Sequence, residues 1–261
     1  DLYQQRIYLE EGWNWVSFNV YNAALRQVST VLNMFPWKEG DIVTEDCQDL
    51  TLVYKDGQWM SNSEMDISKV SLSPAFSYRV KTKYDISIDL FGTSLKEPID
   101  RLISVKQGWN SIGDTPLVNL PVATALSEYW SFAKDGDIIK SQDAFAQFYE
   151  GSDGTTAWMG SLKYMKPGDG YMLYRQKEGE VKFRYPYFDQ GATFIDTSSR
   201  TPRRNAAHRS TMTMVAEAVG VEVQEGFPYR EYDVNFPDSV RRLTPEKARA
   251  MLQEFKEHGL S

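Results

Sequence analysis

The chain has 261 residues, 41% hydrophobic and 25% charged, enough for one large domain or two to three small ones. A net charge of −7 excludes a general nucleic-acid binder, a single cysteine (Cys47) excludes an intramolecular disulfide or cysteine-rich zinc site, and two histidines exclude a multi-histidine metal centre. No apolar run approaches the ~20 residues of a membrane-spanning helix, and a start at Asp1 without a signal segment reads as a fragment or mature form.

Arg6–Leu9 leads into Gly12, and Trp13–Val20 is apolar enough for a strand. Ala24, Val28, Val31 and Leu32 recur at helical spacing and predict a helix over Ala23–Met34. Gly40-Asp41 is a turn before a short strand, Ile42–Thr44. Leu50–Tyr54 and Gln58–Ser61 flank Asp56-Gly57, a hairpin signal because glycine accepts positive φ. Ala75–Lys81 and Ile86–Phe91 alternate apolar and polar residues and read as closing strands.

The same series then returns. Gly12-Trp13-Asn14 reappears as Gly108-Trp109-Asn110, and Gly40-Asp41-Ile42-Val43 as Gly136-Asp137-Ile138-Ile139, both at an offset of 96. Trp59-Met60 matches Trp158-Met159, and Pro74 and Tyr78 match Pro167 and Tyr171. Val122, Leu126 and Trp130 repeat the helical spacing, and Lys166-Pro167-Gly168-Asp169-Gly170 is a turn before Tyr171–Tyr174. The expected fold is therefore β-rich α+β, with two tandem repeats of ~90 residues over 1–98 and 99–188, each with short strands and one helix.

Residues 189–261 read as a smaller tail: a linker arm, a β segment at Thr211–Gln224 and a C-terminal amphipathic helix. Thr244-Pro245 supplies an N-cap and a proline at the first helical position, with Gly259 as the stop. Ala248, Met251, Leu252 and Phe255 form an apolar stripe, expected to dock on Met212–Val223 or on another chain. Residues 196–261 hold 10 acidic and 10 basic residues, so the whole negative charge lies in the repeats.

Gly12-Trp13-Asn14-Trp15-Val16-Ser17, Gly136-Asp137-Ile138-Ile139-Lys140, Trp158-Met159-Gly160-Ser161-Leu162 and Pro167-Gly168-Asp169-Gly170-Tyr171 together resemble repeat modules of secreted and surface proteins of Bacteroidota. The resemblance covers about residues 6–185. The copies diverge at Ser111, where the motif has tryptophan, and at Pro74-Ala75-Phe76-Ser77-Tyr78, which lacks both glycines. What the resemblance implies is a noncatalytic extracellular accessory region. With the duplication and no coherent active site, the expected function is a binding or spacer module of an exported bacterial surface protein, with a glycan or protein ligand and no cofactor.

Trp13 and Trp109 stand at strand starts and read as core anchors, because a buried tryptophan removes a large apolar area from water. Trp59 and Trp158 sit beside hairpin turns and read as exposed ligand-binding platforms. Asp41, Asp56, Asp137, Asp153 and Asp169 lie in Asp-Gly or Gly-Asp turns without the spacing of a calcium loop, so they read as turn formers and no metal site is expected. A carbohydrate-processing enzyme fragment is the first alternative, although no carboxylate pair stands out as its acid and base. Tyr229–Asn235 resembles the strand of guanyl-specific ribonucleases and related toxins that carries the general base. That second alternative implies catalytic roles for Glu231, for Arg242 or Arg241, and for His258, although Thr244–His258 reads as helix where that family has a hairpin. Arg200, Arg203, Arg204 and Arg209 form a basic cluster of ordinary loop composition.

Overall fold

A computed structural model describes residues 1–22, 32, 35–46, 49–61, 66–188, 193–195, 199–200, 231–233 and 235–257. Cys47, the β segment expected at Thr211–Gln224, Arg203, Arg204, Arg209 and His258 lie outside these residues. So does the helix expected over Ala23–Met34 apart from Leu32, which is buried.

The first half comprises β1 (Tyr3–Leu9), β2 (Gly12–Val16), β3 (Val20–Tyr21), β4 (Ile42–Glu45), β5 (Leu50–Lys55), β6 (Gln58–Ser61), β7 (Tyr78–Thr82) and β8 (Ile86–Ser94). An antiparallel sheet runs in the order β2-β7-β4-β5-β6, while β1 pairs with β8 over its whole length and β3 joins the far end of β8. The Asp56-Gly57 turn forms as expected, with φ of 53° and 76°, and pairs Tyr54 with Trp59. The strand expected over Trp13–Val20 breaks after Val16, because the polar groups of Ser17 and Asn19 are directed at the second half of the chain.

The second half comprises β9 (Leu102–Val105), β10 (Gly108–Ile112), β11 (Leu120–Pro121), β12 (Ile138–Lys140), β13 (Phe145–Glu150), β14 (Thr156–Gly160), β15 (Tyr164–Met165), β16 (Tyr171–Arg175) and β17 (Val181–Arg184). Its main sheet runs β10-β16-β12-β13-β14, and β9 pairs with β17. The expected helix is a single turn, α1 (Val122–Ala125), followed by a 3-10 turn at Tyr129–Ser131. It is short because β-branched Val122 and Thr124 are poor interior helix residues, yet Val122, Leu126 and Trp130 are all buried.

Two separate clusters of buried side chains underlie the two main sheets, one built mainly from Tyr3–Leu90 and the other from Ile103–Tyr185. Corresponding side chains brace both halves. Asn14 donates to the carbonyls of Glu10, Gly12 and Val80, and Asn110 to those of Lys106, Gly108 and Leu173. Asp41 accepts from the amides of Lys38 and Lys83, and Asp137 from those of Lys134 and Gln176. The Tyr78 and Tyr171 hydroxyls accept from the amides of Ser73 and Lys166.

The halves meet along a polar seam. The Ser17 amide donates to the Gly168 carbonyl at 2.9 Å, the Gly113 amide to Ala75 at 3.0 Å, and the Gly170 amide to Trp15 at 3.0 Å. Asn19, fully buried, donates to the carbonyls of Asp114 and Pro116 at 2.6 Å each and accepts from Gln5 and the Gly168 amide.

The tail returns to both halves. β18 (Thr193–Ile195) pairs with β20 (Glu231–Asp233), β19 (Ser199–Arg200) lies on the edge of β14, and β21 (Val240–Arg242) adds to β1. The closing helix, α2 (Pro245–Glu257), begins as expected, with Thr244 Oγ1 accepting the Lys247 amide at 3.3 Å. Ala248 and Met251 are half-buried, and Leu252 is exposed.

Candidate functional site

Strand parity reverses the expected roles of the tryptophans. Val16 and Ile112 belong to the two cores, and Trp13, Trp15 and Trp109 lie an odd number of residues before them on the same strands, so they face outward. Trp13 is 45% and Trp109 49% exposed, and neither is the core anchor expected. Trp59 is only 5% exposed, edge-on against Trp37 at 5.1 Å and Tyr54 at 5.4 Å, so it has no free face to offer a ligand. Leu50 and Leu52 face the core, which puts Tyr54, and Trp59 opposite it, on the inner side. Trp158 is half-buried against Phe148 at 5.2 Å and Tyr129 at 6.4 Å, and its indole nitrogen is enclosed.

The outward faces of the two sheets carry matching cross-strand rows. One row runs from Trp13 across the strands through Lys81, Ile42 and Val53 to Met60, and the other from Trp109 through Tyr174, Ile138 and Gln147 to Met159. Cations interleave with the rings. The Arg79 guanidinium lies 5.0 Å from the Trp15 ring centre and Lys81 Nζ 5.8 Å from that of Trp13. Lys140 spans the seam, its Nζ 5.5 Å from the Trp15 ring and 6.0 Å from that of Trp109. Arg79 is paired with Asp46 at 3.5 Å, whereas among the described residues Lys81 and Lys140 have no carboxylate at ion-pair distance.

Gln142 fixes this strip mechanically. Its side-chain amide donates to the Trp13 carbonyl at 2.6 Å and accepts from the Trp15 amide at 3.0 Å, so it substitutes for a neighbouring strand on the open edge of β2. Beside it lies a groove of about 390 Å³, lined by Trp109, Ile138, Lys140, Ser141, Gln142, Asp143, Ala144 and Phe145. That volume is within the range of small-ligand sites. Ser141 Oγ donates to Asp143 at 3.1 Å, and Asp143 is the one carboxylate among the described residues that line the groove. Sequence reasoning missed Trp15, Lys140, Arg79, Lys81 and Gln142. The alternation of Trp13 and Trp15 with core-facing Val16 was the available signal for the rings, and nothing in the sequence announced Gln142.

The other expected residues lie elsewhere. Asp41 and Asp137 are buried turn braces, and the described residues contain no group of three or more His, Cys, Asp and Glu able to hold a metal. Glu231 lies in β20 on β18, while Arg242 lies in β21 on β1, its guanidinium 5.6 Å from the Tyr3 ring. The structure therefore places these two in different sheets. Among the described residues no helix is long and apolar enough to cross a membrane.

Behind the seam, Asp114 is fully buried, and neither carboxylate oxygen has a hydrogen-bond partner among the described residues. Burial, and next the Asp169 carboxylate, raise it well above the ordinary carboxylate range. Asp169 is itself pushed up to about 6 by burial of its carboxyl, against the pull of Lys166 and with a contribution from Asp143. Tyr171 and Tyr185 are raised by burial and by Asp114, and the Tyr185 hydroxyl is likewise unpartnered.

Compared with known proteins, the chain matches no family model, no curated protein and no solved structure.

Proposed function

We propose that this chain is a noncatalytic binding module of an exported bacterial surface protein, and that it holds a glycan along Trp13, Trp15 and Trp109. The observation that carries this reading is the line of half-exposed indole rings crossing the seam between two sheets, interleaved with polar and cationic side chains. A sugar presents a flat C–H face and a rim of hydroxyls. The ring faces suit the first, and Gln142, Ser141, Asp143 and Lys140 suit the second. The rings stand on paired strands rather than loops, so little ordering entropy opposes binding.

In this reading the two halves are copies of one unit of ~90 residues. The supports are the shared offset of the Gly-Trp-Asn and Gly-Asp motifs, the common strand order and the matching side-chain bonds of Asn14 with Asn110, Asp41 with Asp137 and Tyr78 with Tyr171. The exterior location rests on the resemblance of Gly12–Ser17 and its companion motifs to Bacteroidota surface repeats. A glycosidase would need two facing carboxylates, and the described residues lining the groove offer Asp143 alone.

Glycan-array binding by the whole chain tests the reading. Trp109→Ala and Trp15→Ala are expected to weaken binding about tenfold each, the loss of one stacked ring. Unchanged binding by both variants would move the site off this strip, and absence of wild-type binding to every glycan would overturn the function. Protease accessibility on intact cells making the whole precursor checks the location, which protection from protease would contradict.

A further inference from the structure

We infer that the glycan held by this strip is acidic, presenting a carboxylate or sulfate to Lys140 at the seam while flanking sugar faces meet Trp15 and Trp109. This rests on the glycan-binding reading and names the chemistry of its ligand. The chain is acidic overall, at −7, yet Lys81, Arg79 and Lys140 all border the tryptophans of the strip. On so acidic a protein, cations without carboxylate partners are the ones available to an incoming anion. Lys140 is half-buried as a residue, with Nζ 5.5 and 6.0 Å from two ring centres, so an anion that meets it also lies against those rings. Lys81, on the exposed surface, lies over Trp13 alone, one ring further along.

The polar neighbours fit the same ligand. Asp143 lies in the groove with Ser141 already donating to it, so it is suited to a sugar hydroxyl rather than to the acid group, which is left to Lys140. A chain following the rings from Trp109 to Trp15 passes Lys140 between them, and continuing to Trp13 it passes Lys81. The expected ligand therefore carries acid groups repeatedly along its length, and one isolated charge would use only part of the strip.

Isothermal titration of the whole chain against oligogalacturonate, chondroitin sulfate oligosaccharide and neutral cellohexaose tests the inference. Binding of one or both acidic chains is expected, at least tenfold tighter than the neutral one; binding of oligogalacturonate assigns the carboxylate, and binding of chondroitin sulfate that is lost on its desulfation assigns the sulfate. Raising the salt from 50 to 500 mM should weaken that binding severalfold, a wild-type measurement that depends on no variant folding. Lys140→Gln should weaken acidic binding about tenfold and Lys81→Gln about threefold. Equal binding of neutral and acidic chains, or acidic binding indifferent to salt and to Lys140→Gln, overturns the acidic assignment while leaving a glycan site. Binding of none of the three, with thermal unfolding confirming a folded protein, overturns it as well, and failure across the glycan array then removes the underlying reading.

Discussion

Asp114 is a buried carboxyl group raised by burial and then by the Asp169 carboxylate, with a weak opposing pull from Asn19 and no well-formed hydrogen bond to either oxygen among the described residues. An acid held this way favours its protonated form, so its folded value lies above the 3.8 expected for an exposed aspartate. Below that unfolded value both states carry the proton and folding is unopposed. As pH rises from about 4 towards the folded value, the unfolded chain releases its proton first and stability falls. Asp114→Asn keeps the shape and removes the ionisation. It is expected to raise the unfolding free energy at pH 7, by about 1.4 kcal/mol for each pH unit that separates the folded value from the unfolded one, because the folded protein no longer holds back an ionisation that the unfolded chain completes. At pH 4 the gain should vanish. Urea denaturation of both proteins at the two pH values checks this, and a pH-independent gain would point to packing instead. Asp169 is raised in the same direction, but its residue is exposed overall, and solvent screening reduces its share.

At the scale of the element, the Gly-Trp-Asn triplet is a device for starting a strand. Gly12 and Gly108 sit at φ of 97° and 88°, a conformation that side chains resist, and the asparagine two residues later ties the turn back to the strand. Asn110 is buried, its Oδ1 accepting from the Lys106 amide and its Nδ2 directed at three carbonyls, whereas Asn14 is only half-buried. Asn110→Ala should therefore cost roughly 2–3 kcal/mol and Asn14→Ala about 1 kcal/mol. At ~2–4 °C per kcal/mol, melting followed by circular dichroism resolves the difference. An equal loss in both would show that burial does not set the cost. The triplet was plainly legible, as was the Asp56-Gly57 hairpin, because local backbone geometry dictates those residues. The facing of the rings was legible only through parity with Val16 and Ile112, since a tryptophan beside a turn suits either side of a sheet. The strand Val240–Arg242 was not legible: it is short and arginine-rich, and only pairing with β1 gives it form.

At the scale of the whole molecule, the decisive contact is one that local patterns cannot encode. Ser17, Ser77, Ser111, Asn19, Gly113 and Gly170 are residue types found in any loop, yet together they make the seam that brings Trp15 and Trp109 to either side of Lys140. Gly113 is there because of closeness rather than conformation. Its backbone lies outside the left-handed region, but a Cβ at that position would stand 1.9 Å from the Pro74 carbonyl oxygen and 3.0 Å from that of Phe76. Both atoms are backbone and belong to the other half, so Gly113→Ala must force the halves apart. Most of each core stays within its own half, although Leu117 of the second half belongs to the first core and Phe236 packs on both, and what is lost first is the hydrogen bond from Gly113 to Ala75 together with its neighbours. The expected result in calorimetry is a single transition for the wild type and two separated transitions for Gly113→Ala, with the first lowered by overpacking worth about 1–3 kcal/mol. Glycan binding should weaken in parallel, because the ammonium shared by Trp15 and Trp109 loses one of its rings when the seam opens. A variant that still melts in one step at the wild-type temperature would mean that the seam yields without separating, and that the strip does not depend on it.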